Sequence, residues 1–363
     1  MRYLFAAALF IFFHSSAAAQ NYHAVVDAAG VHGSYTSVGA ALEAAPSASK
    51  KPYLIFIRNG NYKEKLTVDK PNITLIGESR EGTIITHDAY AAQKIPGSEE
   101  TWGTFRSATL TVTAPDFRAE NLTIENSFDF LANDALDADA TNKIHGTQAV
   151  ALAIDKNSDR AAFRRVQISG FQDTLYANSG RSYFTESRIE GNVDFIFGAG
   201  TALFENSDII SRVRGRKMTT SGYITAPSTN IHNAFGLIFI RCRLLKEQGV
   251  PDDSVPLGRP WHPTTTFPDG RYADPEAIGS SVFIQTYMDS HIAASGWASM
   301  RGTARDGTKS ALFTPEDARF FEYQNYGPGA KITSTRRQLS ERQAEKFVRK
   351  KILNGWTPIF HTF

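Results

Sequence analysis

The chain has 363 residues, 42% hydrophobic and 21% charged, a composition that supports a large buried core and excludes a disordered polymer. With 39 basic against 37 acidic residues the formal net charge is +2, so no general field for nucleic acid or membrane is expected and a polyanionic partner must be met locally. A single cysteine, Cys242, excludes a disulfide framework, a CxxC redox pair and a cysteine-rich zinc site.

The first element in chain order is a targeting segment. Arg2 gives a positive start, an apolar run follows from Leu4 to Phe13, and Ala17, Ala18 and Ala19 supply the small residues of a signal-peptidase site. Residues 1–19 are therefore read as a signal peptide. Residues 20–363 are expected to form one exported, monomeric catalytic domain without membrane contact. The apolar run is too short to span a bilayer comfortably.

A helix is expected over Tyr35–Ala45, where Tyr35, Val38, Leu42 and Ala45 share a face, and it is placed as a cap on one end of the fold. From there most of the chain reads as short β-branched and aromatic runs broken by Asn, Asp and Gly, such as Tyr53–Ile57, Ile73–Ile76 and Thr109–Thr113. Asn72 and Asn121 open N-x-T sequons inside predicted strands. The β text repeats in six-residue units: Ala119–Ile124, Phe163–Ile168, Phe184–Ile189, Phe204–Ile209 and Phe239–Leu244. An apolar residue opens and closes each unit. Phe163 to Phe184 is 21 residues and Phe184 to Phe204 is 20, while the flanking gaps of 44 and 35 fit skipped coils or inserted loops. A period near 20 without the leucine-rich pattern predicts an all-β, single-stranded parallel β-helix. Cys242, in the last unit, reads as a small core residue. A helical tail is expected from Ser340. Ser340 and Gln343 would form its capping box, and Ala344, Phe347 and Val348 an apolar stripe. The basic residues there, Arg336, Arg337, Arg342, Lys346, Arg349, Lys350 and Lys351, read as a solvated face.

The repeat register places the chemistry. Asp173, Asp194 and Arg214 each lie ten residues after Phe163, Phe184 and Phe204, so they are expected to stack on one face about one strand spacing apart. Two carboxylates that close divide into one that keeps its proton and one that stays charged, a general acid beside a nucleophile. A single aspartate more often caps a turn, but two in matching register inside GFQDTLY and GNVDFIFG point to function. Gln172 and Gln148 offer neutral amide donors for an oxyanion. Arg259, in LGRPW, offers a guanidinium to hold Asp194 ionised. Trp261 offers a flat face to a sugar ring, and Tyr176 and Phe197 are candidates to line the same cleft.

GTQAVAL, GFQDTLY, GNVDFIFG and LGRPW resemble, in order, the four signature regions of pectin methylesterases. YITAPS and the stretch from Leu257 to Asp274 are similar to the bacterial-type members. The similarity runs from about Ala24 to the C-terminal tail. The resemblance implies a right-handed β-helix and hydrolysis of the galacturonate methyl ester of pectin, without metal or cofactor. It makes Asp194 the nucleophile and Asp173 the acid and then the base. Gln172 and Gln148 become the oxyanion donors, Arg259 the partner of Asp194, and Trp261 part of a sugar subsite. Thr104, Arg214, Tyr223, Thr264 and Met300 are carried over as groove residues, Arg214 facing a free galacturonate carboxylate. Some bacterial members carry a cysteine pair where this chain has Ser187 and Ser207. On the residues alone, a carboxylate pair about 5 Å apart also fits a glycosidase. A β-helix polygalacturonase or pectate lyase acting on the pectin backbone, and a binding solenoid without catalysis, therefore remain alternatives.

Overall fold

A computed structural model describes residues 22–361, and the signal-peptide reading of residues 1–19 lies outside them. Successive turns of chain lay short strands into three parallel sheets, of ten, eight and six strands, the middle turns contributing to all three. The result is a right-handed parallel β-helix. Two antiparallel hairpins, Thr264–Phe267 with Gly270–Ala273 and Met300–Gly302 with Ala311–Phe313, stand outside the coils.

The repeat read from the sequence is the ladder of the ten-stranded sheet. Ala119, Phe163, Phe184, Phe204, Phe239 and Phe283 are successive partners. Ile124, Ile168, Ile189, Ile209 and Leu244 are successive partners in the eight-stranded sheet. Because Ala119 pairs directly with Phe163, and Phe204 with Phe239, the long gaps are loops inserted into coils rather than skipped coils. The phenylalanine rings stack inside the solenoid at 4.5, 4.7, 4.6 and 4.4 Å between centroids. That interval nearly equals the strand spacing of about 4.8 Å, so backbone ladder and ring column are satisfied together.

Two residues past each aligned position the backbone turns a corner in the left-handed region, at Asn121, Arg165, Glu186, Asn206, Arg241 and Gln285. The next residue is buried in every case, and where it is polar its side chain bonds the corner's backbone. Ser207 Oγ accepts from Ser187 N at 3.2 Å, and Ser187 Oγ accepts from Val166 N at 3.3 Å. The two hydroxyls donate to the carbonyls of Glu205 and Thr185. Ser187 and Ser207 thus knit adjacent coils by hydrogen bonds. Cys242, one coil on, is buried, and burial pushes its thiol up to about 12. It is an inert core residue, as expected. Asn72 and Asn121 differ from expectation. Both sit at corners with positive φ rather than in strands. Their side-chain amides are engaged, Asn72 with Ser49 O and Asn121 with Gly77 O and Glu78 O.

The expected N-terminal helix forms over Val38–Ala44, shorter than predicted because Tyr35 instead bridges to Val26. Ser37 caps it, and the Glu64 carboxylate accepts from Val38 N and Gly39 N, both at 2.8 Å. Val38, Ala41 and Leu42 join the solenoid core, closing its end. The tail departs further. The Ser340–Gln343 capping box is present, but the helix stops at Ala344 and a second begins at Arg349. Val348 is extended and 45% exposed, so it leaves the predicted stripe, while Ala344 and Phe347 pack on the ten-stranded sheet. The break lets Ile352 and Leu353 bury on the same surface. Nor is the basic set uniformly solvated. Arg336 is buried against Glu322 (2.8 and 2.6 Å), Arg337 caps Pro315 O, and Arg349 bonds Glu205 at 2.5 Å. Arg336 left solvent because a buried acid required a donor, whereas Arg337 stays half-buried and Arg349 exposed, each reaching inward only with its guanidinium.

Candidate active site

Gly170–Tyr176 and Gly191–Phe197 are equivalent stretches of adjacent coils. Leu175 pairs with Ile196 and Ile168 with Ile189, both a shift of 21, which brings Asp173 opposite Asp194. Asp173 N also donates to Val193 O at 3.0 Å. Both aspartates have positive φ, 62° and 51°, a region Asp tolerates better than most residues. At Asp194 the ladder gains one residue: Val193 faces Tyr223 while Ile196 faces Thr225. This bulge re-aims the side chain out of the regular alternation. The framing glycines are required by close approach. A Cβ at Gly191 would stand 2.6 Å from Phe171 O, and one at Gly258 2.6 Å from Thr225 O.

The two carboxyls are electrostatically unequal. Arg259 grips Asp194 bidentately, Nε to Oδ1 at 2.9 Å and Nη2 to Oδ2 at 2.6 Å, and its guanidinium lies 3.9 Å over the Tyr223 ring. Asp173 has no such partner. Burial, then the charge of Asp194, holds Asp173 well above the usual carboxylate range, with Arg259 opposing. Burial raises Asp194 as well, but the hydrogen bonds and charge of Arg259 pull it back. The arrangement therefore holds a proton on Asp173 and a charge on Asp194.

Both open into a cleft of about 250 Å³. Gln172, Gln148, Arg259, Trp261, Thr104, Met300 and Phe197 line it, so the structure brings these sequence candidates together. Gln148 lies in irregular chain just before the strand Leu152–Ile154 rather than inside a strand. Tyr176 lies beneath, stacked on Phe197 at 4.7 Å, and Tyr223 sits behind Arg259. Thr264 joins Thr303 by their hydroxyls at 2.7 Å, away from the cleft lining. Arg214 is a correction. The chain leaves the coil after Ser211 and rejoins it at Tyr223, so Tyr223 and not Val213 stands over Val193. Arg214 instead makes a bidentate pair with Asp134, both contacts 2.8 Å, and does not complete the stack.

Two residues escaped the sequence reading. Phe105, 48% exposed, joins the cleft wall and stacks on Tyr176 at 4.8 Å. Thr147 donates its hydroxyl to Gln172 Oε1 at 2.8 Å. That bond fixes the amide so that its NH₂ remains for the cleft. Its only signal was its place beside Gln148.

A solenoid flank with an acid, a guanidinium-bound carboxylate, oriented amides and an aromatic wall defines a β-helical hydrolase built for a sugar polymer. The comparisons narrow this. The Pectinesterase family model matches residues 23–356. Pectinesterase A of Dickeya chrysanthemi is 48% identical over 349 residues, covering 95% of this chain and 94% of that protein. Among solved structures, a pectin methylesterase from Erwinia chrysanthemi superposes with a TM-score of 0.90 at 47% identity, covering 94% of this chain and all of that one. A pectin methylesterase from Yersinia enterocolitica gives 0.86 at 50% identity (89% of this chain, 100% of that one). The one from carrot gives 0.70 at 29% (92% and 94%). The chain belongs to the pectinesterase family.

Proposed function

We propose that this protein hydrolyses the methyl esters of galacturonate units in pectin, releasing methanol and acidic pectin, with the Asp173–Asp194 pair as its reacting centre. Asp194, ionised beside Arg259, attacks the C6 carbonyl carbon. The carbonyl electron pair moves to oxygen, and the amides of Gln172 and Gln148 bind the oxyanion. Collapse expels the methoxy group, which takes the Asp173 proton and leaves as methanol. The acyl group remains on Asp194 as an anhydride. Asp173, now charged, removes a proton from water, whose oxygen attacks the same carbon, and Asp194 departs as carboxylate. The proton taken from water restores Asp173 to its starting, protonated form. Trp261, Phe105 and Met300 supply the apolar wall for the sugar and its methyl group. A related pectin methylesterase has been crystallised with a hexasaccharide, which supports a polymeric ligand for such a cleft.

The observation that carries this reading is the unequal pair: one buried carboxyl bound by a guanidinium, its neighbour without one. We further read the chain as an exported monomer. Support for export comes from the leader-like residues 1–19, and no helix among the described residues is long and apolar enough to cross a membrane. The test is methanol release from methylated pectin, with polymer length measured in parallel. Wild type should release methanol without shortening the chain. Asp173→Asn and Asp194→Asn should each lose about 10³-fold or more while circular dichroism stays unchanged. Chain shortening, or full activity in either variant, refutes the reading.

A further inference from the structure

Trp261 and Met300 line the cleft, yet they stand at the roots of different hairpins. Trp261 precedes the hairpin that begins at Thr264, and Met300 opens the one that ends at Phe313, its cross-strand partner. The coil ladder reaches Trp261, whose N donates to Pro227 O at 3.2 Å, and Gly258 bridges to Trp297, but Met300 pairs beyond that ladder, within its own hairpin. His262 links the two hairpin roots. It is buried and outside the cleft lining. Its ring stacks face to face on Phe313, 3.6 Å between centroids at 14°. Its Nδ1–H donates to Asp274 O at 2.7 Å. Asp274 N donates to Pro263 O at 2.9 Å, and together the two bonds close the root of the first hairpin beside Trp261. Burial holds the imidazole below its ordinary value, which keeps the ring neutral.

We propose that His262 is a positioning residue for substrate binding, setting the separation of Trp261 and Met300 through its two contacts without touching the sugar. A phenylalanine could make the stack and an asparagine the hydrogen bond. Only a side chain that is at once a flat ring and a directed donor makes both. The inference rests on the cleft being the pectin site.

Steady-state methanol release from methylated pectin separates the contacts. His262→Phe keeps the ring and His262→Asn keeps a donor. Each should raise KM about 5- to 10-fold, His262→Ala more, with kcat within about twofold and the pH profile unmoved. Residues that merely fill the core would lower thermal stability and leave KM alone. Unchanged KM in folded variants, or a fall in kcat at constant KM, overturns the proposal. If His262→Ala does not fold, Phe313→Leu tests the same link from the second hairpin. A raised KM there supports it and an unchanged KM overturns it. Wild-type turnover in the same assay keeps failure of this inference apart from failure of the functional reading.

Discussion

At Asp173 two forces act in one direction: burial disfavours the charge, and so does the neighbouring Asp194. Such a group binds its proton more tightly folded than unfolded. Its contribution to stability is therefore full below the unfolded carboxylate value, near pH 4, and is lost as pH rises through the raised folded value. Asparagine resembles the protonated form and tolerates the positive φ that alanine would strain. Asp173→Asn should therefore raise the thermal midpoint above wild type at neutral and mildly alkaline pH, and the gap should close towards pH 4. A gap that widens on acidification would contradict the sign. The same ionisations shape activity. Rate should fall on the acid side as Asp194 gains a proton and on the alkaline side as Asp173 loses its own. Thr147 works through geometry alone. Thr147→Val leaves the Gln172 amide unfixed, and kcat should fall about 10-fold with KM little changed, less than the 10²–10³-fold for deleting an oxyanion donor outright. Single-turnover and steady-state methanol assays check both values.

At the scale of the element, the aromatic column was legible because ladder register and ring stacking share one interval, which imposes a repeat near 20 on the sequence. The Asp173–Asp194 pairing followed from that repeat. Arg214 shows where the inference stops. Counting residues assumes the coil continues, and nothing local announces that the chain leaves it after Ser211 or that Asp134, 80 residues earlier, takes the guanidinium. The broken tail helix has the same origin, since its period is helical but its burial is set by the sheet beneath. The column makes a prediction of its own. Phe204 is fully buried between Phe184 and Phe239. Phe204→Ala should cost about 3–5 kcal/mol, and Phe204→Leu less, by denaturant unfolding. A loss under about 1 kcal/mol for alanine would mean the coils collapse around the gap.

Across the whole molecule, the tail binds distant coils together. Leaving the last strand of the ten-stranded sheet, it covers the apolar outer face formed by Tyr183, Leu203, Ile238 and Val282. Arg349 reaches Glu205, Leu353 O accepts from Arg181 at 2.8 Å, and His361 N donates to Glu120 at 2.9 Å. Glu120 and Glu205 are buried acids on that face, so their charges depend on partners from the tail and from Arg164, Arg241 and Tyr183. None of this was visible in sequence, because the partners lie 144 and 241 residues apart. A chain ending at Leu339 should lose several kcal/mol of stability and bind a hydrophobic dye, while Arg349→Met should lose only about 1–3 kcal/mol. Equal stability of the truncated and full chains would show that the face needs no cover.

The tail also works as a ruler. It touches the ten-stranded sheet in strict descending order, from Glu322 beside Leu339, past Glu205 and Arg181, to Glu120 beside His361. A β-helix can in principle lengthen by duplicating a coil, in steps of about one strand spacing. Here an added coil anywhere above Arg118–Glu120 would carry one end of the ruler away from its mark and strand a buried acid. Only the coils below Glu120 are free to multiply, so growth of this solenoid is confined to the end closed by the helix Val38–Ala44.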